Sequence, residues 1–139
     1  MEATTVRVLV VDDFERFRRF VCSTLGKRRD LQVIGEAADG LEAVRKAEEL
    51  KPDLIVLDIG LPTLNGIEVA RRIREFCPEC KILFLSQASS ADVAQEAISL
   101  GAMGYVVKAR VQFLVKSHLR CGREATRVRR FRSNRPRKN

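Results

Sequence analysis

The sequence contains no run that approaches the eighteen or so consecutive apolar residues of a membrane span. Its opening stretch, Met1 to Val11, also lacks a long apolar segment, and Arg7 interrupts what there is. No secretory leader is expected there. Cysteine is sparse, with Cys22, Cys77, Cys80 and Cys121 the full set. The expectation is a cytoplasmic protein with reduced thiols and no membrane partner. Acidic residues are nearly absent from one region: residues 110–139 hold eleven Lys and Arg against the single acid Glu124. The remaining 109 residues hold 15 basic and 17 acidic side chains, so the net charge of +8 belongs to the chain end alone.

What is present suits one domain. The chain has 139 residues, 45% of them hydrophobic, enough to bury roughly two-thirds of the unfolded surface without a staple. Five short apolar runs recur along it: Val8–Val11, Leu31–Ile34, Leu54–Leu57, Ile82–Leu85 and Tyr105–Val107. Runs this short and rich in β-branched residues predict strands. The first, third and fourth do not alternate with polar residues, which predicts parallel strands covered on both faces.

Helical patterns fill the gaps. Phe14, Phe17, Val21 and Leu25 predict one stripe; Leu41, Val44 and Ala47 another; Ile67, Ala70, Ile73 and Cys77 a third; and Ala91, Ala94, Ala97 and Ile98 a weaker fourth. Asp39 with Glu42, and Asn65 with Glu68, have capping-box spacing, and Pro52 and Pro78 stand where two helices should stop. The order is βαβαβαβαβ with a possible last helix. Because crossovers are right-handed, the expected fold is α/β: a doubly wound, open parallel sheet with helices on both faces. Ligands then bind at the carboxyl ends of its strands.

Those ends carry Asp12 and Asp13 after the first run, Asp58 after the third, Ser86 after the fourth and Lys108 after the fifth. Taken singly, each has a plain reading: a turn-forming Asp, a loop hydroxyl, a solvated Lys. Together they put three carboxylates, a hydroxyl and an ammonium on one sheet edge. Clustered carboxylates need a cation or a shared proton, and oxygen-only donors suit a hard ion such as Mg²⁺. Lys108 supplies a point charge for a phosphate oxygen and Ser86 a hydrogen bond. Such a set lets one carboxylate attack a phosphoryl group, and Asp58 is the natural nucleophile because its strand is central.

At this point the chain resembles a response-regulator receiver domain of two-component systems. The resemblance rests on Val8-Leu9-Val10-Val11-Asp12-Asp13, Asp58-Ile59-Gly60-Leu61-Pro62 with Asn65-Gly66, Leu85-Ser86, and Gly104-Tyr105-Val106-Val107-Lys108-Ala109. It spans about residues 6 to 109. Gly101-Ala102-Met103-Gly104-Tyr105 is similar to regulators with a LuxR-type helix-turn-helix output, for which the residues after 109 are too few.

The resemblance implies a single flavodoxin-like (βα)5 sheet of strand order 2-1-3-4-5. It implies a phosphoacceptor Asp58, Mg²⁺ held by Asp12, Asp13, Asp58 and the Gly60 carbonyl, Lys108 on the phosphoryl group, and a switch made of Ser86 and Tyr105. It implies a histidine kinase as phosphodonor, and a homodimer through the face of the fourth helix, fifth strand and fifth helix. It implies no enzymatic turnover beyond slow self-dephosphorylation. Gln87, where the family usually has a small residue, implies slower loss of phosphate.

The expected boundaries are a receiver over 1–122 and a basic, disordered tail over 123–139. That tail suits nucleic acid or another anionic partner. The second function class is accordingly a nucleic-acid-binding protein with the body as a dimerisation scaffold. A phosphohydrolase fits less well, since Asp58-Ile59-Gly60 lacks a second acid two residues on. Cys77-Pro78-Glu79-Cys80 sits at a helix end, where a redox pair gains no help. With His118 and Cys121 it has the donor types of a zinc set, although packing is the plainer reading.

Overall fold

The structure, a computed structural model, describes residues 5–87 and 91–108. Among the described residues five strands and four helices alternate: β1 (Val6–Val11), α1 (Glu15–Gly26), β2 (Leu31–Ala37), α2 (Gly40–Leu50), β3 (Leu54–Asp58), α3 (Gly66–Phe76), β4 (Lys81–Ser86), α4 (Ala91–Ser99) and β5 (Gly104–Val107). All neighbouring strands pair in parallel, in the order β2-β1-β3-β4-β5. This is the flavodoxin-like sheet expected from the sequence. The fifth helix expected near 110–122, the 122/123 boundary and the basic tail lie outside the described residues.

The unbroken apolar runs have a direct physical cause. Successive strand residues point to opposite faces, and both faces are covered. Leu9, Val11, Ile55, Leu57, Ile82, Phe84 and Tyr105 form one core with Ala43 and Ala47 of α2, Val69, Ala70 and Ile73 of α3, and Ala94 and Ala97 of α4. Val8, Val10, Val56, Leu83, Leu85 and Val106 form the other with Val21 and Leu25 of α1.

Helix ends follow the sequence in part. Asp39 accepts a hydrogen bond from the Glu42 N–H (2.9 Å), and Asn65 accepts one from the Glu68 N–H (3.0 Å). The return halves differ. The Glu42 carboxylate accepts from Ala38 N–H, one residue further out (2.9 Å), while that of Glu68 faces Arg71 and Arg72. Two of the expected apolar stripes are also displaced. Phe14 is the extended N-cap residue of α1 and is 60% exposed. Leu41 is 52% exposed because Gly40, Ala43 and Ala47 turn inward instead. The reason is close packing: a Cβ at Gly40 would collide with the Leu64 carbonyl and lie 2.9 Å from Val69 Cγ2. Only the small side of α2 can approach α3.

Two arginines tie the far end of the sheet. Arg7 donates to the Leu50 and Lys51 carbonyls (2.8 and 2.7 Å) and so caps α2, whose last residue gives way to a left-handed Lys51. Arg74 donates to the carbonyls of Pro78 (2.8 Å), Cys80 (2.6 Å) and Gly101 (2.9 Å), joining the α3–β4 and α4–β5 connections.

Gly66 opens α3 directly against β3. An added Cβ would collide with the Asp58 carbonyl and lie 2.7 Å from Ile59 Cα. Backbone cannot yield as a side-chain tip can, so Gly66→Ala should cost about 1–3 kcal/mol, read as a lower urea midpoint at unchanged slope. An unchanged midpoint would contradict this packing.

Candidate functional site

The register of β1 against β3 builds the site. Val11 pairs with Leu57, so Asp12 and Asp58 extend side by side from adjacent strands. Asp12 is held by its own backbone: its N–H donates to the Ala37 carbonyl (3.1 Å), and its carbonyl accepts from Arg18 (2.9 Å). Arg18 also pairs with Glu36 of β2 at 2.8 Å. The Asp12 Oδ1 accepts the Phe14 N–H (2.8 Å), a local bond that turns the chain into α1. Asp58, the last residue of β3, is buried, and its Oδ1 accepts the N–H of Gly60 at 3.2 Å. The next residue anchors the turn, with Ile59 N–H donating to the Leu85 carbonyl at 2.9 Å. Asp13 is exposed.

One carboxylate oxygen from each of Asp12, Asp13 and Asp58 lies within 4.8 Å of the others. Among the described residues this is the one acidic or thiol cluster with the spacing of a metal site. Lys108, the residue after β5, reaches back over two strands to place its ammonium 2.7 Å from Asp12 Oδ2 and 3.6 Å from Asp58 Oδ2. That ammonium is the one polar partner of the buried Asp12 Oδ2, which accepts no other hydrogen bond among the described residues. A buried carboxylate oxygen with spare lone pairs, beside two more carboxylates, fits a hard divalent cation.

The electrostatics agree. Asp58 is pushed up from 3.8 to about 6, first by burial, then by the negative charge of Asp12 with a smaller push from Asp13; Lys108 and the Gly60 N–H oppose this. Burial and like charge both disfavour the ionised form.

The other residues singled out in the sequence are placed as follows. Ser86 ends β4 and pairs with Val107, one step beyond the Asp58–Leu85 pair. Its side chain is partly buried. Tyr105 pairs with Phe84 and is fully buried in the core beneath α2–α4. Gly60 sits exposed in the loop beside Asp58. Gln87, next to Ser86, is exposed. Cys77 and Cys80 are buried at the opposite end of the sheet, and the Cys80 thiol donates to the Pro52 carbonyl (3.1 Å). Burial is the first cause that pushes Cys80 up to about 12. His118 and Cys121, the other half of the zinc set, lie outside the described residues. No helix among the described residues is long and apolar enough to cross a membrane.

Sequence reasoning missed two participants. Phe17, read as a core residue, puts its ring 4.7 Å from the Lys108 ammonium. Arg18 had no signal at all, since its partners Asp12 and Glu36 meet only once β1 and β2 are paired.

A pH dependence follows. Asp58 has a folded-state value above its unfolded one, so its ionisation weakens the cation-free fold as pH rises from about 4 through about 6. In a chelator, Asp58→Asn should be more stable than the parent at pH 7.5, by on the order of 1–3 kcal/mol. The gap should close near pH 4. Thermal melts at several pH values check this; a parent as stable as the variant at pH 7.5 would contradict it.

Comparison with known proteins gives a consistent result. The sequence model of the response regulator receiver domain matches residues 8–117. The response regulator protein VraR of Staphylococcus aureus is 38% identical over 104 residues, which cover 75% of this chain and 50% of VraR. The chain thus spans about half the length of the curated relatives it matches. The response regulator domain of Thermotoga maritima CheB superposes with a TM-score of 0.77 at 34% identity, covering 89% of this chain and 98% of that one. A CheX–CheY–BeF3–Mg²⁺ complex from Borrelia burgdorferi matches with a TM-score of 0.71 at 25% identity over 80% of this chain and 88% of that one. A receiver sheet, an acidic cluster at the carboxyl ends of its strands and a family match over most of the length agree, and the chain belongs to the response-regulator receiver domains of two-component systems.

Proposed function

We propose that this receiver accepts a phosphoryl group on Asp58 in a Mg²⁺-dependent reaction, with the phosphohistidine of a histidine kinase as donor. The observation that carries the reading is the convergence of Asp12, Asp13 and Asp58 beside the Lys108 ammonium. A structural relative captured with BeF3 and Mg²⁺ supports it.

A bound Mg²⁺ would be held by Asp12, Asp13, Asp58 and the Gly60 carbonyl, and would neutralise charge on the transferring group. The rest falls to the chain itself. An Asp58 carboxylate oxygen attacks phosphorus in line with the donor nitrogen. The O–P bond forms, the N–P bond breaks, and the imidazole leaves with the electron pair. The product is a mixed carboxylic–phosphoric anhydride. Positioning and electrostatics dominate such transfers. The Gly60 N–H fixes one Asp58 oxygen at 3.2 Å, and Lys108 stands ready to meet the new negative charge. The acyl phosphate carries more negative charge than the carboxylate it replaces, so transfer into this crowded site depends on the Lys108 ammonium and on a bound cation to balance that charge.

Ser86 then hydrogen-bonds a phosphoryl oxygen, drawing the β4–α4 loop inward. The gain exists only in the phosphorylated state, which is what lets a local charge event bias a two-state element. Tyr105, one strand over, reports the shift to the α4–β5 side, the face proposed for homodimerisation. The chain acts as a phosphoacceptor with at most slow self-dephosphorylation, not as an enzyme acting on an outside substrate. Any grip of the basic residues 123–139 on nucleic acid would be an addition to this role. A pure scaffold would gain nothing from three mutually repelling carboxylates.

Incubation with acetyl phosphate and Mg²⁺ should add one phosphoryl group by intact mass. The adduct should be absent with chelator and absent in Asp58→Asn. No adduct in the parent under any condition would sink the reading and move the scaffold alternative ahead.

A further inference from the structure

Phe17 lies in the first turn of α1, next to the acidic loop but outside the carboxylate set. Its ring is half-buried against the α1-side core of Val8, Val10 and Val106. Phe20, one turn on, braces it at 6.0 Å between centroids with planes at 42°. These contacts fix the orientation of the ring, and its face receives the Lys108 ammonium at 4.7 Å. The Lys108 side chain is 11% exposed, so the ring closes one side of a small enclosure whose other side is Asp12 and Asp58.

We propose that Phe17 is a positioning residue for phosphoryl transfer: its ring face retains the Lys108 ammonium at the site while that ammonium exchanges Asp12 for the phosphoryl group on Asp58. This rests on the reading of Asp58 as the phosphoacceptor. At rest the ammonium is nearer Asp12 Oδ2 (2.7 Å) than Asp58 Oδ2 (3.6 Å). A divalent cation on Asp12 would compete for that oxygen, and a phosphoryl group on Asp58 would offer a stronger partner. During the exchange the ion pairs are remade. A cation–π contact persists out to about 6 Å from the centroid and is insensitive to which anion lies opposite. The ring therefore keeps the long, flexible Lys108 side chain from swinging to solvent, without touching the reacting atoms.

The test compares full-length Phe17→Leu and Phe17→Met, which keep apolar bulk but lose the π face, with Phe17→Tyr, which retains it. Two readouts are used. The first, NMR of the Lys108 ε-methylene protons, needs no phosphorylation. They should be shifted upfield by the ring in the parent and in Phe17→Tyr, and return to ordinary values in Leu and Met. The second is the rate of phosphoryl uptake from acetyl phosphate with saturating Mg²⁺. It should fall about 3- to 20-fold in Leu and Met and stay within about twofold in Tyr, the range expected when this type of contact is kept. In a Lys108→Ala background, Phe17→Leu should cause no further fall.

Ordinary Lys108 shifts in the parent would overturn the proposal. So would parent-like uptake in Leu and Met, or an equal loss with and without Lys108, which marks a merely structural effect. A parent that takes up no phosphoryl group removes the underlying reading, and this is recognised by the missing adduct, whereas a failure of the Phe17 role alone leaves the parent adduct intact.

Discussion

The repulsion among Asp12, Asp13 and Asp58 is the constraint on which the rest of the structure depends. Carboxylate oxygens within 4.8 Å of one another, two of them on buried residues, would separate if their backbones were free to move. They are not. Asp12 and Asp58 leave adjacent, in-register parallel strands, and each turn is tied to a further strand, Asp12 N–H to Ala37 and Ile59 N–H to Leu85. The fold thus stores an unfavourable charge arrangement, partly relieved by Lys108 and by a raised proton affinity on Asp58. A divalent cation would relieve it further, whereas a phosphoryl group on Asp58 adds negative charge that such a cation and Lys108 must balance. A need for a divalent cation before any anionic modification follows from this arrangement, because the empty site is already under electrostatic stress.

Supporting that stress takes a rigid frame. The central strand β3 is buried over its whole length, with apolar layers on both faces. Gly66 lets α3 begin against the Asp58 backbone, and Gly40 lets α2 close on the Leu64–Val69 region. The small residues therefore act on the site indirectly, by letting helices pack where a side chain would push β3 aside. At the opposite end, Arg7 and Arg74 hold loop carbonyls that the helices leave unsatisfied.

Much of this was legible in the sequence. Two-sided burial wrote itself as unbroken runs such as Leu54–Leu57, and the short-range caps Asp39 and Asn65 were readable three residues away. The strand-end positions of Asp12, Asp13, Asp58 and Lys108 were legible because a parallel sheet puts all carboxyl ends on one edge. What depends on close tertiary approach was not. Nothing in the spacing of Leu41, Val44 and Ala47 reveals that α2 turns its small face inward to meet α3. Arg7 read only as a break in the apolar opening stretch, and it serves as a helix cap. Phe17 read as core, and its ring also faces an ammonium from a residue 91 positions away, a juxtaposition that exists only after β5 docks beside β4.

The central claim is that Asp58 sits in a site whose charge repulsion a divalent cation relieves. The most direct measurement is the titration of the Asp58 side-chain carboxyl by carbon-13 NMR, with and without Mg²⁺. The account predicts ionisation near pH 6 in chelator, moving to clearly lower pH when Mg²⁺ is added. Titration near the ordinary 3.8 in chelator, unmoved by Mg²⁺, would contradict it.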